Sequence, residues 1–140
     1  MMRPSLKGQQ GVTLVEVLIA VLVLSVGLLG VAAMQTTSLQ MNHSAYLRSQ
    51  ANNMAYDIID RMRANRSASL DGDYAHEMQA GPPAGNSVAA ADVREWLSDL
   101  ALTLPEGKGE ISLSTQRLSI GVQWRDRDGD SQHFVTVTDL

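Results

Sequence analysis

From Val12 to Met34 the chain is an almost unbroken run of apolar side chains, interrupted by Thr13, Glu16, Ser25 and two glycines, Gly27 and Gly30. As a helix it extends about 34 Å, close to the thickness of a bilayer's hydrocarbon core. An ordinary surface helix needs a polar face towards water, and this segment has none. It is expected to cross a membrane. A cleaved secretory signal explains it poorly, because the apolar stretch of such a signal is typically about 7–15 residues with a small-residue cleavage site after it. Here the run is longer, and the glycine at the boundary, Gly11, precedes it. Glu16 is the anomaly. A carboxylate inside a membrane costs several kcal/mol by most accounts, so it calls for a partner or a function.

Arg3 and Lys7 precede the run, and no acidic residue occurs before Glu16. The positive-inside rule then places the first residues in the cytoplasm and everything after Met34 outside. Removal of the first eleven residues takes Arg3 and Lys7 away and moves the formal net charge from −4 to −6. An acidic exported segment has no electrostatic reason to bind nucleic acid. There are no cysteines, which excludes disulfides, thiolate metal sites and cysteine nucleophiles together. Apolar residues make up 44% of the chain, but they crowd into the N-terminal run, so the core of the remainder must be small. A head of that size without disulfides is near the lower limit of independent stability, and it is expected to lean on the long helix.

After Met34 the pattern becomes amphipathic. Leu39, Leu47, Met54, Ile58 and Met62, with Ala51 and Ala55 between them, recur at helical spacing, and no proline occurs between Pro4 and Pro82. One helix is expected to about Asn65, with 12–34 as its membrane half and 35–66 as its amphipathic half. Residues 67–140 form the head. Ser67 to Ala91 is rich in turn residues and reads as loop, with an ordered patch around Tyr74 and Met78. Asp92 and Glu95 suggest the start of a short helix over 92–103, with Trp96, Leu97 and Leu100 on its apolar face and Pro105-Glu106-Gly107 closing it. Strands follow at about 110–116, 118–126 and 131–138. Leu118, Ile120, Val122 and Trp124 alternate with polar residues, and Asp128-Gly129 suggests a two-residue type I′ turn. That turn pairs Trp124 with His133, Val122 with Val135 and Ile120 with Val137. The fold class is α+β, a long helix packed on a small antiparallel sheet of about three strands, with one short extra helix.

Little here resembles an enzyme. His43, His76 and His133 are isolated, and no nucleophile–base pair or phosphate loop stands out. Asp126, Asp128 and Asp130 alternate around Gly129 and make a weak calcium candidate, but Ser131 and Val137 stand where a calcium loop wants glycine and glutamate. Hairpin chemistry accounts for the Asp-Gly step by itself. Asp57 and Asp60 beside Arg61 and Arg63 read as a solvated or subunit-facing charge cluster. No cofactor is implied.

The short basic leader, then Gly11-Val12-Thr13-Leu14-Val15-Glu16, resembles the processing signal of type IV prepilins. The segments Leu24–Gln35 and Ala55–Arg66, with Glu95-Trp96-Leu97 and Val122-Gln123-Trp124, resemble the PilV (type IV pilus modification protein) family of minor pilins. The resemblance implies a pilin fold and a non-catalytic role in starting type IV pilus assembly, which supports twitching motility, adhesion and DNA uptake. It implies a prepilin peptidase that cuts between Gly11 and Val12 and methylates the new amine of Val12. It assigns Glu16 to assembly and register, and Arg3 and Lys7 to the leader's positive charge. The implied partners are that peptidase, other minor pilins, the major pilin and the inner-membrane assembly machinery. The implied location is the bacterial inner membrane, with the head periplasmic, and then the pilus. Two other readings share parts of this pattern: a minor pseudopilin of type II secretion and a membrane-anchored binding module. Relatives often carry a cysteine pair in the head and a proline where this chain has Ala33; this chain has neither.

Overall fold

The computed structural model describes residues 11–114, 117–127 and 129–140. Its elements are α1 (Leu14–Ala64), α2 (Arg66–Leu70), α3 (Val88–Thr103), β1 (Lys108–Ser114), β2 (Arg117–Arg125) and β3 (Ser131–Asp139). Two compact units meet within α1, between Met41 and Asn42.

In the first unit every residue from Gly11 to Met41 is exposed. This part of α1 is long and apolar enough to cross a membrane. Three of its hydroxyls bond back to the helix: Ser25 Oγ donates to the Val21 carbonyl at 2.7 Å, and Thr36 and Thr37 donate to the carbonyls of Ala32 and Ala33 at 3.1 Å. These three hydroxyls are thus satisfied inside the helix, which makes such groups tolerable in hydrocarbon.

The second unit holds the core. From Asn42 onward α1 buries Leu47, Ala51, Ala55, Ile58, Ile59 and Met62 on one stripe. The stripe follows the expected spacing from Leu47 on, whereas Leu39 is exposed and Met54 only partly buried. Opposite it lie Leu118, Ile120, Val122 and Trp124 of β2, the central strand of an antiparallel β1-β2-β3 sheet. The third wall is α3, with Val93, Trp96 and Leu100 buried. Trp96 fixes this wall twice. Its indole N–H donates to the Met54 carbonyl of α1 at 2.9 Å, and its ring lies so close to β1 that a Cβ at Gly109 would come within 2.3 Å of it.

The long stretch expected as loop is more ordered than its composition suggests. Helix α2 follows directly on Asn65, and α3 starts at Val88, four residues before the expected start. Ser87, not Asp92, is the cap: its side chain accepts the Ala90 N–H at 3.2 Å. Asp92 lies inside the helix, where a buried tyrosine engages it. Tyr74 is 1% exposed, in the patch expected to be ordered.

The β2–β3 register differs from the expected one by a residue. Trp124 pairs with Gln132, Val122 with Phe134 and Ile120 with Thr136. Arg125 opposite Ser131 leaves an odd number of residues in the connection, which a two-residue turn cannot supply. Instead, the Asp126 N–H donates to the Asp130 carbonyl and the Gly129 N–H to that of Asp126, both at 2.9 Å, with Gly129 at φ +85°. This matches the longer hairpin loop in which glycine takes the left-handed bulge position. A one-residue shift exchanges the faces of the whole strand. Val135 and Val137 therefore point outward, and Phe134 packs against the core in their place. Asp128, the other half of the expected turn, and Thr115, expected in the first strand, lie outside the described residues.

Candidate functional site

The Gly11–Val12 bond lies just ahead of α1, in backbone with no regular structure. Val12 is 70% exposed, and among the described residues a side chain at Gly11 would meet nothing within 4 Å. Arg3 and Lys7 lie outside the described residues.

Thr13 starts the helix. The Glu16 N–H donates to the Thr13 carbonyl at 3.0 Å and lies 3.3 Å from its Oγ1, and the Val17 N–H donates to the same carbonyl at 3.2 Å. Thr13 and Glu16 therefore have the spacing of a capping box, with Glu16 in the first turn. The positive end of the helix dipole favours a carboxylate there. Sequence reasoning missed this second role of Glu16, although the T-x-x-E spacing was a usable signal.

On one face of α1, Glu16 shares a shallow open groove with Val12, Val17, Ala20, Val21 and Leu24. Glu16 is the charged group in a lining that is otherwise apolar. Such a surface can pack against a second apolar helix, and the carboxylate then marks one axial position, since any stagger that leaves it unpaired is penalised. Gly27 and Gly30 are likewise open.

In the second unit the charge cluster expected on the helix surface is a joint between elements. Arg61 donates to Asp57 at 2.9 Å and, across to α3, to Glu95 at 2.6 Å, with Asp92 Oδ1 3.7 Å away. The hydrogen bond to Glu95, with the field of Asp57, holds the Arg61 guanidinium above its usual range. Tyr74 donates to the other oxygen of Asp92 at 2.5 Å and accepts from Asn65 at 3.3 Å. Burial, then the bond to Asp92, raises the phenol above its ordinary value. Arg63 makes a looser pair with Asp60 at 3.4 Å. Glu95 and Asp92 are too distant in sequence from Arg61 for local spacing to reveal these contacts.

Of the calcium candidate, Asp126 is engaged by neighbouring groups. Asp126 Oδ2 accepts the Ser44 hydroxyl at 2.6 Å and Oδ1 the Arg127 N–H at 2.7 Å, contacts that hold its carboxyl below the usual range, Ser44 contributing most. Among the described residues no group of three metal-ligating side chains converges, and Asp128 lies outside them.

Comparison with known families agrees with the geometry of the N-terminal segment. Residues 6–32 match the model for the prokaryotic N-terminal methylation motif. Residues 33–91 match the model for type IV pilin Tt1218.

This is a type IV pilin-like protein.

The two matches adjoin and together run from residue 6 into the second unit. No curated protein and no solved structure gives a match. A long apolar N-terminal helix, a three-stranded antiparallel sheet packed on its C-terminal part and a short extra helix make up the pilin fold of this chain. The apolar segment anchors a type IV pilin-like protein to the membrane.

Proposed function

We propose that this pilin-like protein is a minor pilin, a non-catalytic subunit that helps initiate type IV pilus assembly. Residues 1–11 are its leader, 12–34 its transmembrane segment and 67–140 its exported head. Prepilin peptidase cuts between Gly11 and Val12 and methylates the new amine. The observation that carries this reading is Glu16, a lone carboxylate in an exposed apolar helix face four residues after Val12. In an assembly of such helices the amine of Val12 on a neighbouring subunit is its natural partner, and their pairing sets the stagger.

The protein sits in the inner membrane with its N-terminus cytoplasmic and its head periplasmic, then enters the pilus beside other minor pilins and the major pilin. The inner-membrane assembly machinery receives it. Within the pilins, the Ser25–Gly30 and Asp60–Asn65 segments favour the PilV type of minor pilin over a type II secretion pseudopilin.

The test is a clean deletion strain scored for surface pili and for type II secretion. Sharply fewer pili with normal secretion supports the minor-pilin role. Blocked secretion with normal pili transfers the protein to the pseudopilins. If both remain normal and the leader stays attached, the protein is an anchored binding module.

A further inference from the structure

Between α2 and α3 the chain passes along β1. His76 donates its backbone N–H to the Ile111 carbonyl at 3.0 Å and accepts the Ile111 N–H at 2.8 Å. Since β2 pairs with β1 on its other side, this strap covers the outer edge of β1 at its middle. Residues paired directly across an antiparallel bridge project to the same face, so the imidazole lies on the side of Ile111, towards the core. It is 8% exposed, and its Nε2 has no hydrogen-bond partner among the described residues.

A neutral imidazole can leave an acceptor nitrogen unpartnered at modest cost. An imidazolium there would bury a charge and an unmatched N–H, which is far more expensive. The surrounding charges offer little compensation. Glu77 favours the charged form, but burial outweighs it and pushes the imidazole below its ordinary value of 6.5. On β1, Glu110 is opposite Gly121 on the other face, near the His133 imidazole. On α3, Arg94 is held by the Pro83 and Gly85 carbonyls at 3.0 and 2.8 Å.

We propose that His76 is an acid-sensitive latch, whose protonation releases the strap from β1 and frees the edge of that strand. The sign follows from proton binding: the detached strap takes up a proton more readily than the closed one. Closure is therefore fully favoured above about pH 6.5 and weakens as pH falls from there through the lowered value of the closed state.

The experiment is amide hydrogen exchange on the full chain in detergent micelles at pH 7 and pH 5, corrected for intrinsic rates. Protection at His76 and Ile111 should fall about tenfold relative to Ile58 and Leu100 in the core. His76→Phe keeps the bulk without the charge, and its protection should not change with pH. Should that variant fold poorly, the wild-type loss of protection must begin at about pH 6.5 and level off at the midpoint of its imidazole titration followed by NMR. Unchanged protection at pH 5, an equal loss at Ile58, or the same loss in His76→Phe overturns the latch.

Discussion

The Arg61 guanidinium of α1 and the Glu95 carboxylate of α3 meet at 2.6 Å, across 34 positions of sequence. Asp57 and Asp92 stand on the same guanidinium, so one cation holds three carboxylates from two helices. Arg61→Ala removes that cation and leaves the carboxylates facing one another. The expected loss is about 1 kcal/mol, or about 5 °C in Tm, and less at high salt. A thermal melt of the full chain at low and high salt checks it; an unchanged Tm at low salt would show the cluster to be idle.

Tyr74 ties the segment after α2 to α3 through its bond to Asp92. Tyr74→Phe is expected to cost about 1–2 kcal/mol at neutral pH, because it also leaves Asp92 without that donor. The wild type has a second signature. Its phenol is raised in the fold by burial and by Asp92, so above about pH 10 the unfolded chain loses the proton first and stability falls as pH rises. Denaturant titrations between pH 8 and 11 should show this slope in the wild type and a flatter one in Tyr74→Phe. Equal slopes would refute the assignment.

Gly109 leaves room for the ring of Trp96 and for Leu100, both of which would be within 3 Å of an added Cβ. Gly109→Ala forces α3 away from β1 and should destabilise the unit by about 1–3 kcal/mol. Exchange at the Trp96 indole N–H reports the displacement directly, since that proton is bonded to the Met54 carbonyl. Slow exchange as in the wild type would count against it.

Glu16→Ala tests the role proposed for the exposed apolar face. The variant should still reach the membrane fraction, with its mass showing a chain that starts at Val12, yet be depleted from sheared pili. Full incorporation would falsify the register role and leave Glu16 only its place in the first turn of α1.

Much of the fold is legible in local pattern. The apolar run has one stable solution, a helix whose backbone bonds are all internal, and the residues from Leu47 to Met62 repeat at a period that names their buried face. The alternation of Leu118, Ile120, Val122 and Trp124 likewise identifies the inward side of β2. Of the candidate site, Gly11, Val12 and Glu16 are legible because their meaning lies in spacing along one segment.

The remainder depends on competition between distant groups. Asp128-Gly129 fits more than one hairpin loop, and the turn residues alone do not choose. In the fold the five-residue connection closed at Gly129 goes with a register that puts Phe134, rather than Val135 and Val137, against the core. Asp92 has the composition of a helix cap but is claimed by Tyr74, and Ser87 takes the end of the helix instead. His76 looks like one more loop histidine until Ile111 pairs with it. The sequence by itself determined the long helix, the existence of α3, the three strands and the N-terminal signal, because these follow from periodicity and short-range sterics. Only the tertiary structure decided the strand register, the Arg61 joint and the burial of His76, because each depends on which remote side chain reaches a shared space.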